Sequence, residues 1–329
     1  MEYAQSYPTS GQQTAFGALR VTFGIIWLIN AWFQIQSISL GHFLHWFAEN
    51  HSGESPWLHA YIGWIFHGIQ LTGTLPIEVT IAVVDILLAL SLLTGLWLRF
   101  FGVVGILYGL FVWSTMGALG EPYSTGATDP GPGIVYAIAF LLITLAAPID
   151  SQDTSPPGGA DVAPAAHPGG ALDRFTIGRI LFGLLWAFDA SWKWHPYFFS
   201  HFASYISHAE AGQPAWMVAY DQFVVHVIHL IGPGICGLLV AILETLLAVS
   251  LLSGKWLRLF LPLGALFTLG IWTTAEGWGG PYSAGSTGMP GNLVGNAVLY
   301  SFIFAFFIVV YYPLYNERRP TESAQLSEA

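Results

Sequence analysis

Two acidic side chains lie inside long apolar stretches of the sequence, where an ionised group is energetically expensive. Asp85 lies in one such stretch and Glu244 has the matching position in another. In a helix rising 1.5 Å per residue, Asp85 lies roughly 12 Å from the start of its stretch. An ionisable group inside an apolar span is costly and usually has a function. We therefore predict that both carboxylates accept protons from a quinol or help to hold an ion. The structural alternative is a buried polar network that fixes helix register.

Histidines offer a second set of reactive groups. His67 and His226 end matching aromatic-rich stretches, and His226 and His229 share one helical face. This spacing suits metal or haem ligation by His67, His226 and His229, and it equally suits a hydrogen bond to a quinone carbonyl. We therefore take His67 and His226 as catalytic candidates, with contacts to lipid headgroups as the structural alternative.

A small anionic substrate would need positive charge. Lys193, His42 and His201 lie in or beside the two long segments between apolar stretches that also hold most of the histidines. Histidine becomes cationic below its usual pKa of about 6.5, so anion binding there is expected to strengthen at mildly acidic pH. Lys193 also follows Asp189 by four residues, which predicts an internal ion pair on one helical face.

The composition indicates what kind of protein must position these groups. Of the 329 residues, 54% are hydrophobic and 9% are charged, against about 25% charged residues in a soluble domain. The chain is therefore expected to be an integral membrane protein in contact with the lipid bilayer. A net charge of −10 without a basic cluster argues against nucleic-acid binding. A single cysteine, Cys236, excludes an intramolecular disulfide, a C-x-x-C redox pair and a cysteine-ligated iron–sulfur cluster.

Continuous apolar runs indicate an all-α polytopic membrane protein with eight transmembrane helices. The predicted spans cover residues 17–38, 77–97, 99–119, 132–149, 175–195, 235–254, 257–276 and 291–312. With eight crossings, nearly all arginines and lysines fall on one side, which the positive-inside rule makes cytoplasmic. We expect a multi-pass protein of the inner or plasma membrane with both termini in the cytoplasm and no cleavable leader.

The chain carries an internal duplication with an offset of 159 residues. The matched pairs include Arg20 and Arg179, Trp27 and Trp186, His67 and His226, Asp85 and Glu244, and Trp113 and Trp272. We predict two parallel four-helix-bundle repeats at 1–150 and 172–315, a Pro/Gly/Ala linker at 151–171 and a polar cytoplasmic tail at 316–329.

One loop motif occurs in both repeats. It runs from Gly120 to Gly131 as GEPYSTGATDPG and returns from Gly279 as GGPYSAGSTGMP. Its glycines and successive N–H groups could form an anion nest. With the tryptophan-rich first span, this loop resembles the DoxD/DoxX family, whose DoxD members are small subunits of thiosulfate:quinone oxidoreductase. The loop residues Tyr123, Tyr282 and Asp129 are candidate substrate ligands, although Asp129 is matched by Gly288 in the second copy.

The resemblance implies a membrane oxidoreductase subunit that passes electrons from a reduced sulfur anion, such as thiosulfate, to membrane quinone. The sequence shows no flavin motif and no covalent haem site. Either the histidines hold a haem or metal, or a partner subunit such as a DoxA-like protein supplies the redox centre. A non-catalytic accessory or scaffold subunit of a membrane redox complex and a small-molecule transporter are the competing interpretations.

Overall fold

The computed structural model describes residues 10–39, 56–115, 117–120, 128–147, 170–279 and 295–311. Within these ranges the regular structure is helical and no strand occurs, which confirms the predicted all-α class. The helices are α1 Ser10–Ser39, α2 Pro56–Thr72, α3 Thr74–Thr94, α4 Leu98–Ser114, α5 Pro132–Ala146, α6 Gly170–Lys193, α7 Pro196–Ser200, α8 Phe202–Ala209, α9 Ala215–Ile231, α10 Pro233–Ser253, α11 Leu257–Thr273 and α12 Asn296–Phe306, which continues as a π-turn over Phe307–Tyr311.

Two of these helices, α3 and α10, are long and apolar enough to cross a membrane, judged by length and composition. The other apolar helices of the described ranges are shorter, and α11 ends at Thr273, before the predicted end of its span at residue 276. A span needs about 20 residues. The structure thus confirms helices at the predicted stretches and leaves eight crossings as a prediction.

The two halves of the chain repeat the same helix pairs. Helix α1 packs against α3 and α4 against α5, while α6 packs against α10 and α11 against α12. The Arg20 guanidinium lies beside Gly95, the C-cap of α3, and Arg179 lies in the same way beside Gly254, the C-cap of α10. Arg179 also donates a hydrogen bond to the Leu251 carbonyl. A cation at a helix C-terminus stabilises the last, unpaired carbonyls, and it does so here at equivalent positions.

The gap-free alignment of the repeats fails at their last helix. Gly131 and Gly295 are the N-caps of α5 and α12, with φ of 87° and 85°. Gly105 faces the Phe140 ring, and Gly264 faces the Phe304 ring in the same way. These last-helix pairs are 164 residues apart rather than 159, so the loop before α12 is five residues longer than its counterpart.

Each repeat buries the same quartet of aromatic side chains. In the first quartet Trp27 lies edge-on to Tyr136, with ring centroids 4.8 Å apart, and in the second Trp186 lies edge-on to Tyr300 at 5.3 Å. The quartets consist of Phe23, Trp27, Tyr136 and Phe140, and of Phe182, Trp186, Tyr300 and Phe304. Phe23 stacks on Phe302 of the other repeat at 4.8 Å, so the two halves share one core.

Small residues let α4 approach α5 closely. A Cβ atom built on Gly109 would lie 2.8 Å from the Gly133 carbonyl oxygen and 2.9 Å from the Ala137 nitrogen, which are backbone atoms of α5. The Gly105 and Gly109 pair predicted to pack helices therefore lies at a helix–helix contact that leaves no room for a side chain.

Candidate ligand-binding cavity

The second repeat encloses a cavity of about 560 Å³. Its walls come from α6 to α12 and the turn after α11, together with Thr128 and Asp129, which belong to the turn before α5 of the first repeat. The aromatic lining residues are Trp186, Phe198, Phe202, Tyr205, Phe267 and Tyr300, and the charged or amide lining residues are Asp129, Asp189, Lys193, Glu244, Glu276 and Asn296. This volume suits a small organic molecule.

A buried cation lies at the centre of the polar wall. Lys193 Nζ is 3.4 Å from Glu244 Oε2, and both side chains are buried. The ammonium also donates a 2.6 Å hydrogen bond to the Thr128 carbonyl and lies 5.6 Å from the centre of the Phe198 ring. The predicted ion pair with Asp189 is therefore wrong, because α10 brings Glu244 within ion-pair distance of the ammonium.

Asp189 has a different partner. The Tyr300 hydroxyl donates a 2.7 Å hydrogen bond to Asp189 Oδ2. Asp189 is 4% exposed, and its second oxygen, Oδ1, has no hydrogen-bond partner among the described residues. The same holds for Trp186 Nε1 and Asn296 Oδ1. Buried polar atoms are normally satisfied, so these three atoms are available to a ligand.

Two more carboxylates, Glu276 and Asp129, each accept hydrogen bonds at the N-terminus of the last helix of one repeat. Glu276 accepts hydrogen bonds from the backbone N–H groups of Asn296 and Ala297 at 3.0 Å, at the start of α12. Asp129 accepts from the Gly131 N–H at 2.8 Å, at the start of α5, and from Asn296 Nδ2 at 2.9 Å. An anion at a helix N-terminus is favourable. The alignment of Asp129 with Gly288 was therefore misleading, since Glu276 supplies the equivalent charge in the second repeat.

Glu276 lies in the turn after α11, outside the helices. Burial, together with the nearby Asp129 carboxylate, raises the pKa of its carboxyl group to about 7, against the lowering effect of the N–H groups of Ala297 and Asn296.

Sequence comparisons add no relative to this geometry. The chain matches no family model, no characterised protein and no solved structure. What the cavity does must therefore be inferred from its own residues.

The structure separates the two carboxylates that the duplication relates. Glu244 lines the cavity beside Lys193, whereas Asp85 does not line it. Asp85 is buried in α3, where the Tyr108 hydroxyl donates to it. Phe267 occupies the position equivalent to Tyr108 in the second repeat, so the two repeats satisfy equivalent carboxylates with different partners.

The histidines within the described ranges take no part in the cavity wall. His67, His201, His226 and His229 are exposed and do not line the cavity. In the described ranges no group of three or more His, Cys, Asp or Glu side chains is arranged to hold a metal ion. Of the remaining candidates, Lys193 and Asp129 line the cavity, while His42, Tyr123 and Tyr282 lie outside the described residues.

Sequence analysis did not select Tyr300, Glu276 or Asn296, and it considered Asp189 chiefly as an ion-pair partner. Tyr300 is one of 14 tyrosines and belongs to no motif. Glu276 carried the clearest signal, because it is an acidic residue at the end of a predicted span. Asn296 lines the cavity from the first position of α12, and the longer loop before this helix hid its position in the alignment of the repeats.

Proposed function

We propose that this chain is an eight-span membrane protein and the quinone-binding subunit of a membrane oxidoreductase of the DoxD/DoxX type. In this proposal the cavity binds the ring of a quinone or quinol, and a partner subunit supplies the redox centre. The observation that carries the proposal is Asp189 Oδ1, which has no hydrogen-bond partner among the described residues and lies in an aromatic-walled cavity that also holds Lys193.

Apolar side chains on the outer surface support the membrane assignment. On α3 the residues Val79, Val83, Leu87 and Leu90 are between 42% and 49% exposed. On α10 the residues Leu238, Leu239, Ile242, Leu246 and Val249 are between 40% and 59% exposed. Soluble monomers rarely expose contiguous apolar surface of this kind, whereas lipid covers it without cost.

The unpaired polar atoms match the chemistry of a hydroquinone. A hydroquinone hydroxyl can donate to Asp189 Oδ1, and a ring oxygen can accept from Trp186 Nε1. The walls formed by Phe198, Phe202 and Phe267 suit a flat ring. Reduction of quinone consumes two electrons and two protons, and the hydrogen-bonded pair of Asp189 and Tyr300 in the cavity wall can relay protons to a bound ring.

The cavity charge argues against binding of a sulfur dianion at the same place. Asp129, Asp189, Glu244 and Glu276 line it together with a single described ammonium group, Lys193, which Glu244 already neutralises. We therefore place the oxidation of thiosulfate, or of a similar reduced sulfur anion, outside this cavity, at the outer surface or on the partner subunit.

Substitution of Asp189 tests the proposal. In purified full-length protein, we expect Asp189→Asn to weaken binding of decylubiquinol by about 10- to 100-fold, because an amide Nδ2 replaces one acceptor oxygen and a buried group left without its hydrogen-bond partner costs about 1–3 kcal/mol. Quenching of tryptophan fluorescence measures the binding, since Trp186 lines the cavity.

Asp85→Asn is the matched control, because it changes a buried carboxylate of the first repeat that does not line the cavity. We expect it to leave the dissociation constant unchanged. If the wild-type protein binds no quinol, or if both variants bind like the wild type, the quinone-binding assignment fails and the accessory-subunit interpretation gains support.

A further inference from the structure

We propose that Glu276 is the proton-exchange residue of the cavity and carries protons between the bound quinone and the water phase beyond the α11–α12 turn. This inference rests on the proposed function and adds the route by which the protons of that reaction travel. The hydrogen bonds that Glu276 accepts from the backbone N–H groups of Asn296 and Ala297 would by themselves assign it only to helix capping.

The position of Glu276 gives it access to both sides. Its carboxyl group lines the cavity, whereas its backbone belongs to the turn between α11 and the 3₁₀ turn Gly277–Gly279. The other carboxyl groups that contact the cavity from the helices, Asp189 and Glu244, are 4% and 2% exposed. Glu276 as a whole residue is partly exposed, although its carboxyl group is buried. It therefore lies between the cavity and the protein surface at the end of α11.

Polar groups line the cavity wall from Asp189 to Glu276 in three separate hydrogen-bonded sets. Tyr300 donates to Asp189, and Lys193 lies between Glu244 and the Thr128 carbonyl. In the third set the Asn296 side-chain amide donates to Asp129, and the Asn296 backbone N–H group donates to Glu276 Oε1 at 3.0 Å. Protons that pass between these sets must cross the cavity itself.

The charged groups that face Glu276 favour proton transfer over a permanent charge. Asp129 of the first repeat is the charged neighbour of Glu276, and Lys193 and Asp189 of α6 and Glu244 of α10 line the same cavity. Lys193 is occupied by Glu244. With carboxylates as its main charged neighbours, Glu276 holds a proton more readily than an isolated glutamate and can pass it on when the quinone is reduced.

The proton balance of the step is simple. Quinone plus two protons and two electrons gives quinol, and the electrons come from the redox centre of the partner subunit or, in the test below, from a reduced soluble mediator that is oxidised. In our proposal the protons enter the ring oxygens from Tyr300 and the Asp189 side of the cavity, and Glu276 refills these groups from water.

The test uses purified full-length protein with bound decylubiquinone, reduced through a soluble mediator, while a pH dye follows proton uptake. We expect Glu276→Gln to slow proton uptake by about 100-fold and to leave quinol affinity within twofold of wild type. The glutamine oxygen still accepts hydrogen bonds from the N–H groups of Asn296 and Ala297, so the cap is kept.

The wild-type rate should fall as pH rises through about 7, because Glu276 then loses its proton, and the variant should lack this fall. A small diffusible acid such as formic acid should restore the rate of the variant.

Glu210→Gln is the matched control, since Glu210 lies in the turn after α8, bonds to Gln222 and does not line the cavity. It should behave like wild type. Wild-type rates and pH dependence in Glu276→Gln, with quinol still bound, would overturn the role of Glu276 while the quinone-binding proposal stands. A slow variant that no diffusible acid restores would also overturn it and assign Glu276 to capping. Absence of quinol binding in the wild type would overturn both.

Discussion

Lys193→Met is expected to lower the free energy of unfolding by about 3–5 kcal/mol, the usual loss when one partner of a buried ion pair is removed. Glu244 is 2% exposed and would be left without its cation, and the Thr128 carbonyl would lose its 2.6 Å donor. Denaturant titration in detergent measures the change. Quinol binding should weaken in parallel, because the polar wall of the cavity would lose the group that orders it.

A double variant separates charge from packing. Lys193→Met combined with Glu244→Gln removes both charges. We expect the double variant to recover more than half of the free energy of unfolding that Lys193→Met loses, because replacing both partners of a buried ion pair by neutral groups often changes stability little. Lys255→Met, at an exposed position, is the control and should change stability by less than about 0.5 kcal/mol. A stability loss in the double variant equal to that of Lys193→Met would contradict the ion-pair explanation.

The second large effect concerns the contact between α4 and α5. We expect Gly109→Leu to lower the free energy of unfolding by about 3 kcal/mol, at the upper end of the usual cost of overpacking. Even a Cβ atom at this position would lie 2.8 Å from the Gly133 carbonyl oxygen, and backbone atoms cannot move aside as a side chain can. The thermal unfolding midpoint of the purified protein should fall accordingly.

Gly63→Leu provides the comparison, because Gly63 lies on the exposed side of α2 and a Cβ atom there meets nothing within 4 Å. Leucine favours a helix over glycine by up to about 1 kcal/mol, so this variant should be neutral or slightly more stable. Equal destabilisation by the two substitutions would show that the close approach of α4 and α5 does not limit the residue at position 109.

Much of the helical architecture could be predicted from the sequence, because apolar runs and glycine turns are local signals. The helices α3 and α10 lie within a few residues of their predicted spans. The offset of 159 located equivalent arginines, Arg20 and Arg179, which the structure places beside equivalent C-cap glycines. The length change before α12 was missed, since the gap-free match stopped at the preceding loop.

The site was predicted less well, because its contacts join residues far apart in the sequence. Lys193 and Glu244 were both selected, yet Lys193 was paired with Asp189, its neighbour on the same helix. The choice between Asp189 and Glu244 depends on how α10 packs against α6, which no local pattern encodes. The site role of the histidines stays a prediction: those among the described residues do not line the cavity, because clustering in the sequence does not by itself bring side chains together in space.

The cavity of the second repeat is closed in part by Thr128 and Asp129 of the first. Evolution of the two halves is therefore tied together, because a mutation that displaces Thr128 or Asp129 changes a cavity whose other walls are encoded by the second half of the gene. After a gene duplication, the first repeat can lose a binding site of its own and still be retained by selection, because it supplies part of the cavity wall of the second repeat. Recombination that exchanged a single half for a diverged paralogue would then break the cavity even when both halves fold.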